Sequence, residues 1–233
     1  FDTTGSPLKN GFDHFFGYLN QVHAHDSYPV ELWRGSRKTR LTANDSDRQG
    51  AYSNDLFRDD ALKFVDEHRS RPFFLLWSHT IPHAFPAKKT IEVPQIEPQY
   101  RDQPWPDIEK RFASAITRMD RQVGEMRAKL RTLGIERNTL VLFTSDNGPQ
   151  AVPPHDSDFF DSNGPWRGVK RDLTEGGIRV PAIAAGPGLA KPGTVVDSPW
   201  AFWDLLPTCA DIAGARVPAG VDGVSVNDLW QGR

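Results

Sequence analysis

Leu140-Val141-Leu142-Phe143-Thr144-Ser145-Asp146-Asn147-Gly148 changes chemistry halfway along its length. Its first half is a short continuous apolar run with β-branched and aromatic members, which predicts a strand buried on both faces. Its second half is made of turn formers whose side chains carry oxygen. In open α/β sheets the functional crevice lies just beyond the carboxyl ends of the strands, so Asp146 and Asn147 are placed where a strand delivers its last side chains to a site. A carboxylate beside an amide oxygen suits a hard cation, Ca²⁺ or Mg²⁺. The same residues also read as a βα turn in which Asp146 caps the next helix, and from this stretch alone both readings stand.

Outward from that stretch, the pattern on either side is that of an α/β protein. Upstream, Phe112, Ile116, Met119, Val123, Met126, Leu130 and Leu133 recur at spacings of three and four, predicting a long helix with a core-facing stripe that stops at Gly134. A second helix is predicted from Ser53 or Asn54 as N-cap, through Phe57, Ala61 and Phe64 or Val65 to His68. After Pro72 the run Phe73-Phe74-Leu75-Leu76-Trp77 predicts another strand, ending in Ser78-His79-Thr80-Ile81-Pro82-His83. Residues 91–108 are proline-rich and read as an extended loop, and residues 36–50 as a polar loop that includes a hairpin. His23 and His25, with Asp26 and Tyr28, follow closely; a His-x-His pair can hold a metal, but alternation along a strand puts both imidazoles on one face without one, and a surface role near a substrate is the preferred reading.

Downstream, residues 149–165 form a polar loop that contains Pro153, Pro154, His155 and Asp156. Gly164 to Gly177 follows, with glycines at 168, 176 and 177 that permit close backbone approach to a ligand. Lys170 sits among them, a point charge for an anion or a solvated loop lysine. Ile178 to Ala185 predicts a strand, with Pro181 marking an edge or a start. Asp204 to Gly214 predicts a short helix capped by Asp204, with Cys209 on its apolar face beside Leu205, Leu206 and Ile212 as a buried thiol.

Composition narrows the function classes. The 28 Lys plus Arg against 30 Asp plus Glu leave no basic surplus for nucleic acid. No apolar run approaches the roughly 18 residues of a membrane span. Phe1-Asp2-Thr3-Thr4-Gly5 has neither the basic start nor the apolar stretch of a signal peptide. A single cysteine excludes an internal disulfide framework and a thiolate metal cluster. The 19 Pro, 19 Gly and 7 Trp fit an α/β protein with long, aromatic-anchored loops.

Four stretches together resemble the sulfatases of the alkaline-phosphatase-like superfamily, specifically the arylsulfatase type. They are Asn10 to Asn20 with its Gly-Phe-Asp-x-Phe-Phe-Gly, Ser78 to Pro86, Val141 to Gly148, and Gly164 to Pro181 with its Arg-Gly-x-Lys-x-x-x-x-Glu-Gly-Gly. Asp204-Leu205-Leu206-Pro207-Thr208 is similar to the family's late helix. The resemblance implies an α/β sandwich on a mixed, mostly parallel central sheet flanked by helices, of which residues 1–233 supply the second half as one partial catalytic domain. It implies that Asp146 and Asn147 are ligands of the active-site Ca²⁺ (Mg²⁺ being the other hard ion they suit), that Lys170 holds the sulfate oxygens, and that His83 contacts the sulfate and assists the leaving oxygen. His79 is placed behind the site, and His155, His23 and His25 resemble loop residues that shape the substrate pocket. The implied activity is hydrolysis of an aryl or carbohydrate sulfate ester by a secreted or periplasmic protein, whose substrate is a sulfated small molecule or glycan.

The chain also departs from the family pattern. The family's nucleophile is a formylglycine made from a Cys or Ser in Cys/Ser-x-Pro-x-Arg, and no such motif occurs among the 233 residues. The early aspartate pair and the Gly-Lys-Trp-x-x-Gly segment are likewise without counterpart. The expectation is therefore a C-terminal portion that carries half of a site, without the nucleophile segment or the small C-terminal subdomain, and that hydrolyses nothing at an appreciable rate by itself. Two further readings are a phosphoester or phosphonate hydrolase of the same superfamily and a non-catalytic remnant that binds sulfated glycans.

Overall fold

The computed structural model describes residues 3–153, 155–189 and 191–232, and the readings above that touch Phe1, Asp2 and Pro154 lie outside them. The chain forms two compact units, residues 1–134 with 146–180, and residues 135–145 with 181–233.

The first unit contains β1 (Phe16–Gly17), α1 (Gln21–Ala24), β2 (Glu31–Arg34), β3 (Arg37–Arg40), α2 (Ser53–His68), α3 (Pro98–Arg101), α4 (Asp107–Thr132) and α5 (Glu175–Ile178). Its sheet is an antiparallel meander in the order β1-β2-β3, with Phe16 opposite Arg34 and Leu32 opposite Thr39. The hairpin expected within residues 36–50 lies earlier, over residues 31–40 with its turn at Gly35-Ser36, so only its second strand falls in that range. The proline-rich stretch is not wholly extended: Pro98 starts the single turn of α3, where its missing N–H costs nothing.

Helices α2 and α4 fall where periodicity put them, with Phe57, Ala61 and Val65 buried on one and Phe112, Met126 and Leu130 on the other. Their details differ. Tyr52 is the N-cap of α2, because the buried amide of Asn54 is committed to the Thr80 hydroxyl at 3.0 Å. On α4 the predicted stripe member Ile116 stays 38% exposed, while Glu109, Ser114 and Gln122 are buried. Each of these polar residues has a partner: Glu109 binds His155, Ser114 accepts the Glu97 N–H at 2.9 Å, and Gln122 donates to Asp55 at 2.9 Å. These hydrogen bonds offset much of the penalty that would otherwise keep them out, although Gln122 Oε1 stays without a partner. The Arg118 guanidinium also binds the Asp55 carboxylate with both arms and ties α4 to α2. Against this pair Ile81, Ala84, Ile91, Val93, Phe112 and Ala115 form the core, with Ile108, Met119 and Phe160 packed on it.

The run Phe73–Trp77 makes no strand pairing among the described residues, although its exposure alternates residue by residue as an extended chain requires. A strand needs a neighbour as well as a composition, and no segment of this unit is paired with it.

The second unit contains β4 (Val141–Thr144), β5 (Ala182–Ala185), α6 (Leu205–Ile212) and α7 (Asn227–Trp230). The two strands pair antiparallel, Val141 opposite Ala185 and Thr144 opposite Ala182, so the pairings this chain makes among its described residues are antiparallel within an α/β whole. Pro181 precedes β5 as a strand start. Asp204 does not cap α6 with its side chain; its carboxylate accepts the Ala201 and Val224 N–H groups, each at 2.9 Å, and so clamps a later loop. Cys209 is half-buried rather than enclosed, since Leu206 and Ile212 on its face are 53% and 45% exposed.

Candidate active site

Three consecutive residues after the Asp146-Asn147 pair each grip a different segment of the first unit. The Gly148 N–H donates to the Gly177 carbonyl at 2.9 Å, the Pro149 carbonyl accepts the Lys170 backbone N–H at 2.9 Å, and Gln150 Oε1 accepts the Ala84 N–H at 3.0 Å. The first contact needs bare backbone. A Cβ on Gly148 would lie 1.9 Å from the Gly176 carbonyl oxygen, and one on Gly176 would lie 2.0 Å from the Gly168 oxygen. The glycines read as ligand-approach positions therefore let two turns of the chain itself pack backbone on backbone. The loop that presents Lys170 is braced internally as well: Thr174 Oγ1 donates to the Arg167 carbonyl at 2.6 Å and the Val169 N–H donates to Asp172 at 2.9 Å.

This framework brings Lys170 Nζ to 3.3 Å from Nε2 of His83. The other ring nitrogen, Nδ1, lies 2.7 Å from the Ala84 carbonyl oxygen. A carbonyl only accepts, so Nδ1 carries the proton and the Nε2 lone pair faces the lysine. The His83 pKa is lowered from its ordinary value chiefly by burial, with the charges of Lys170 and His25 adding to it and the Ala84 hydrogen bond, then Asp146, opposing. Lysine and histidine, far apart in the sequence, thus form one polar contact.

The two early histidines separate. Residues 21–24 form a helical turn whose Asn20 side chain accepts the His23 N–H at 2.9 Å, instead of the strand that would have aligned both rings. Residues two apart on a helix do not share a face. His23 meets Tyr18 edge-on at 4.9 Å, whereas His25 stacks on His83 at 4.8 Å and 26°. His25 therefore joins the site and His23 supports Tyr18.

The ring of His155 is enclosed by the protein. Its side chain is 1% exposed, it stacks on Phe112 at 4.1 Å, and its Nδ1 is 2.8 Å from Glu109 Oε2. The other Glu109 oxygen accepts the Asp156 N–H at 3.0 Å, so the pair pins the loop after Gln150 to α4. His155 therefore anchors its loop, whose residues Ala151, Pro153, Asp156 and Ser157 line a surface pocket with it. Glu109 and Gln150 escaped the sequence reading. Glu109 lies one turn before Phe112, where an acid on an apolar face hints at a buried partner, whereas nothing in the sequence marks Gln150.

Asp146 and Asn147 contact each other, the Asn147 amide donating to the Asp146 carboxylate. Their oxygens are the hard donors that a Ca²⁺ or Mg²⁺ ion takes. Among the described residues no group of three or more His, Cys, Asp or Glu side chains is placed to hold a metal ion. The chemistry of these two donors fits such an ion.

The fold has counterparts among known proteins. The chain superimposes on the crystal structure of Ps i-CgsB in complex with k-i-k-neocarrahexaose with a TM-score of 0.75 and 24% identity, over 98% of this chain and 51% of that one. It superimposes on the PsFucS1 sulfatase of Pseudoalteromonas sp. with a TM-score of 0.69 and 23% identity, over 97% and 48%. The architecture is accordingly α/β of the alkaline-phosphatase-like fold. A Sulfatase family model matches residues 1–215, and the chain belongs to the sulfatase family. It is 31% identical to N-acetylgalactosamine-6-sulfatase of Mus musculus across 94% of its length, and 34% identical to steryl-sulfatase of the same species across 75%. It spans 42% of the first of these proteins and 27% of the second.

Proposed function

We propose that the protein hydrolyses sulfuric esters, and that this chain supplies the part of the site that holds the sulfate and serves the departing oxygen. The observation that carries the reading is the contact between Lys170 and His83, with the imidazole held in one tautomer by the Ala84 carbonyl. Cleaving the S–O bond of a sulfate ester builds negative charge on the leaving oxygen and on the remaining sulfate oxygens. The Lys170 ammonium is held on a braced loop and can meet that charge without reorganising. Once an anion draws Lys170 away from Nε2, His83 is free to take a proton there and deliver it to the leaving oxygen. His25, stacked on the ring, limits its rotation. Asp146 and Asn147 would hold a Ca²⁺ ion, with Mg²⁺ as the other candidate, and that ion would add positive charge beside the sulfate oxygens. No residue of this chain is assigned the nucleophile, for which the family resemblance implies a formylglycine.

The substrate class we infer is a sulfated carbohydrate or aryl ester, met outside the cytoplasm in a secreted or periplasmic protein. The carbohydrate reading is supported by the match to N-acetylgalactosamine-6-sulfatase along 94% of the chain. Among the described residues no helix is long and apolar enough to cross a membrane. The test is Lys170→Ala in a form of the protein that turns over nitrophenyl sulfate. Loss of a single oxyanion donor should lower the rate by on the order of 10²-fold or more. Unchanged turnover would remove Lys170 from the site, and tight binding of a sulfated glycan with no turnover by the unaltered protein would favour a binding role.

A further inference from the structure

We propose that Gln150 is the positioning residue of this site: through the Ala84 peptide it fixes which nitrogen of His83 faces Lys170. The relay is short. Gln150 Oε1 accepts the Ala84 N–H at 3.0 Å, and the carbonyl of the same residue accepts the His83 Nδ1–H at 2.7 Å. Ala84 is 1% exposed, so water does not replace the glutamine as acceptor. Because the backbone N–H can only donate, the atom of the amide that faces it must be the oxygen. With the N–H of Ala84 pinned, the peptide groups flanking that residue lose the freedom to rotate, and the Ala84 carbonyl keeps its aim at Nδ1. The imidazole is left with one tautomer, whose Nε2 lone pair meets Lys170 at 3.3 Å.

Two further facts point the same way. The residue immediately before Gln150 holds the backbone N–H of Lys170 at 2.9 Å, so one dipeptide registers the lysine and the histidine against each other. Gln150 Nε2 is buried with no hydrogen-bond partner. An orphaned buried donor is unfavourable, and an apolar side chain of equal length would fill the space without it. Packing alone does not account for a glutamine here, whereas the need for an acceptor opposite Ala84 does. The groups that face His83 in this arrangement are Lys170, His25, Asp146 and the Ala84 carbonyl.

The experiment is nitrogen NMR of the intact protein with labelled histidine, combined with turnover of nitrophenyl sulfate. Gln150→Met keeps the length and removes the acceptor; Gln150→Glu keeps the acceptor. The unaltered protein should show His83 as the Nδ1–H tautomer. The methionine variant should show a tautomer mixture and lose about 10–100-fold in kcat with KM little changed, the scale of losing a partner that orients a functional imidazole. The glutamate variant should retain the single tautomer. Gln150→Asn, which draws the acceptor back by one methylene, gives the same reading as methionine should that variant fail to accumulate. A single Nδ1–H tautomer in the methionine and asparagine variants overturns the proposal, as does equal behaviour of the methionine and glutamate variants. The rate readout rests on the proposed hydrolase reading with His83 as its proton donor and the ring readout does not, so a shifted tautomer with unchanged turnover counts against His83 as the donor and for the relay.

Discussion

His79 and His83 lie four residues apart on one segment, and their surroundings separate their chemistry. His79 packs against Trp77 at 4.4 Å, both of its ring nitrogens are buried without a partner, and burial pushes its pKa down to about 4. It stays neutral near physiological pH and has nothing to exchange a proton with. His83 is also lowered by burial, but one nitrogen is tied to a carbonyl and the other faces a cation. A lowered pKa favours the uncharged ring, so in the free protein the proton-donating form is populated only below the ordinary histidine value of 6.5. If His83 protonates the leaving oxygen, kcat/KM for a sulfate ester falls as pH rises through a midpoint below 6.5. Bound sulfate brings an opposite charge, which favours the protonated ring, so the corresponding limb of kcat lies at higher pH. The two pH profiles measured side by side check this. A kcat/KM limb above 6.5, or one that survives His83→Gln, removes His83 from the proton transfer.

At the level of elements, the site depends on how closely the turn after β4 packs on the loop that leads into α5. Gly176→Ala places a Cβ 2.0 Å from one carbonyl oxygen and 2.8 Å from another, both backbone atoms that cannot swing aside. Overpacking of this kind costs about 1–3 kcal/mol. Its larger effect is on geometry, since a displacement of about 1 Å in a positioned group can cost on the order of 10²-fold in rate. The expected outcome is a folded protein whose melting temperature drops modestly and whose turnover collapses; comparable losses in both would make the contact purely structural. The sequence disclosed these glycines and the two long helices, because periodicity and turn chemistry are local, whereas Lys170 and His83 stood out only through the family resemblance. It did not disclose that Gly176 faces Gly148, that His25 rather than His23 reaches His83, or that Glu109 enters the core. Those follow from which segments meet, and a local pattern carries no record of that. The antiparallel partner of β4 was hidden for the same reason: Ile178 to Ala185 reads as a strand, but its direction relative to β4 is a property of the chain path.

On the scale of the whole molecule, the apolar surface is unevenly enclosed. In the first unit, Phe74 and Leu76 are 58% and 61% exposed on alternate positions of an extended run that has no strand pairing among the described residues. In the second unit, every residue of β5 is exposed, Ile183 to 61%, and Trp203 is 67% exposed. Two-stranded sheets are marginal in water without further cover, and an unpaired extended segment offers a row of backbone donors and acceptors to any other chain. Single exposed apolar residues are ordinary, but alternating ones on an extended backbone form a pairing template. These 233 residues expressed by themselves should therefore bind the dye ANS and self-associate as concentration rises. The double substitution Phe74→Lys with Leu76→Glu places charge on that face without touching the His83–Lys170 contact, and should reduce both effects. Light scattering behind a sizing column, with dye fluorescence on the same fractions, measures them together. A monodisperse monomer at tens of micromolar that leaves the dye dark would mean these faces are covered by the chain's own motions, and the exposed run would then lose its significance as a pairing edge.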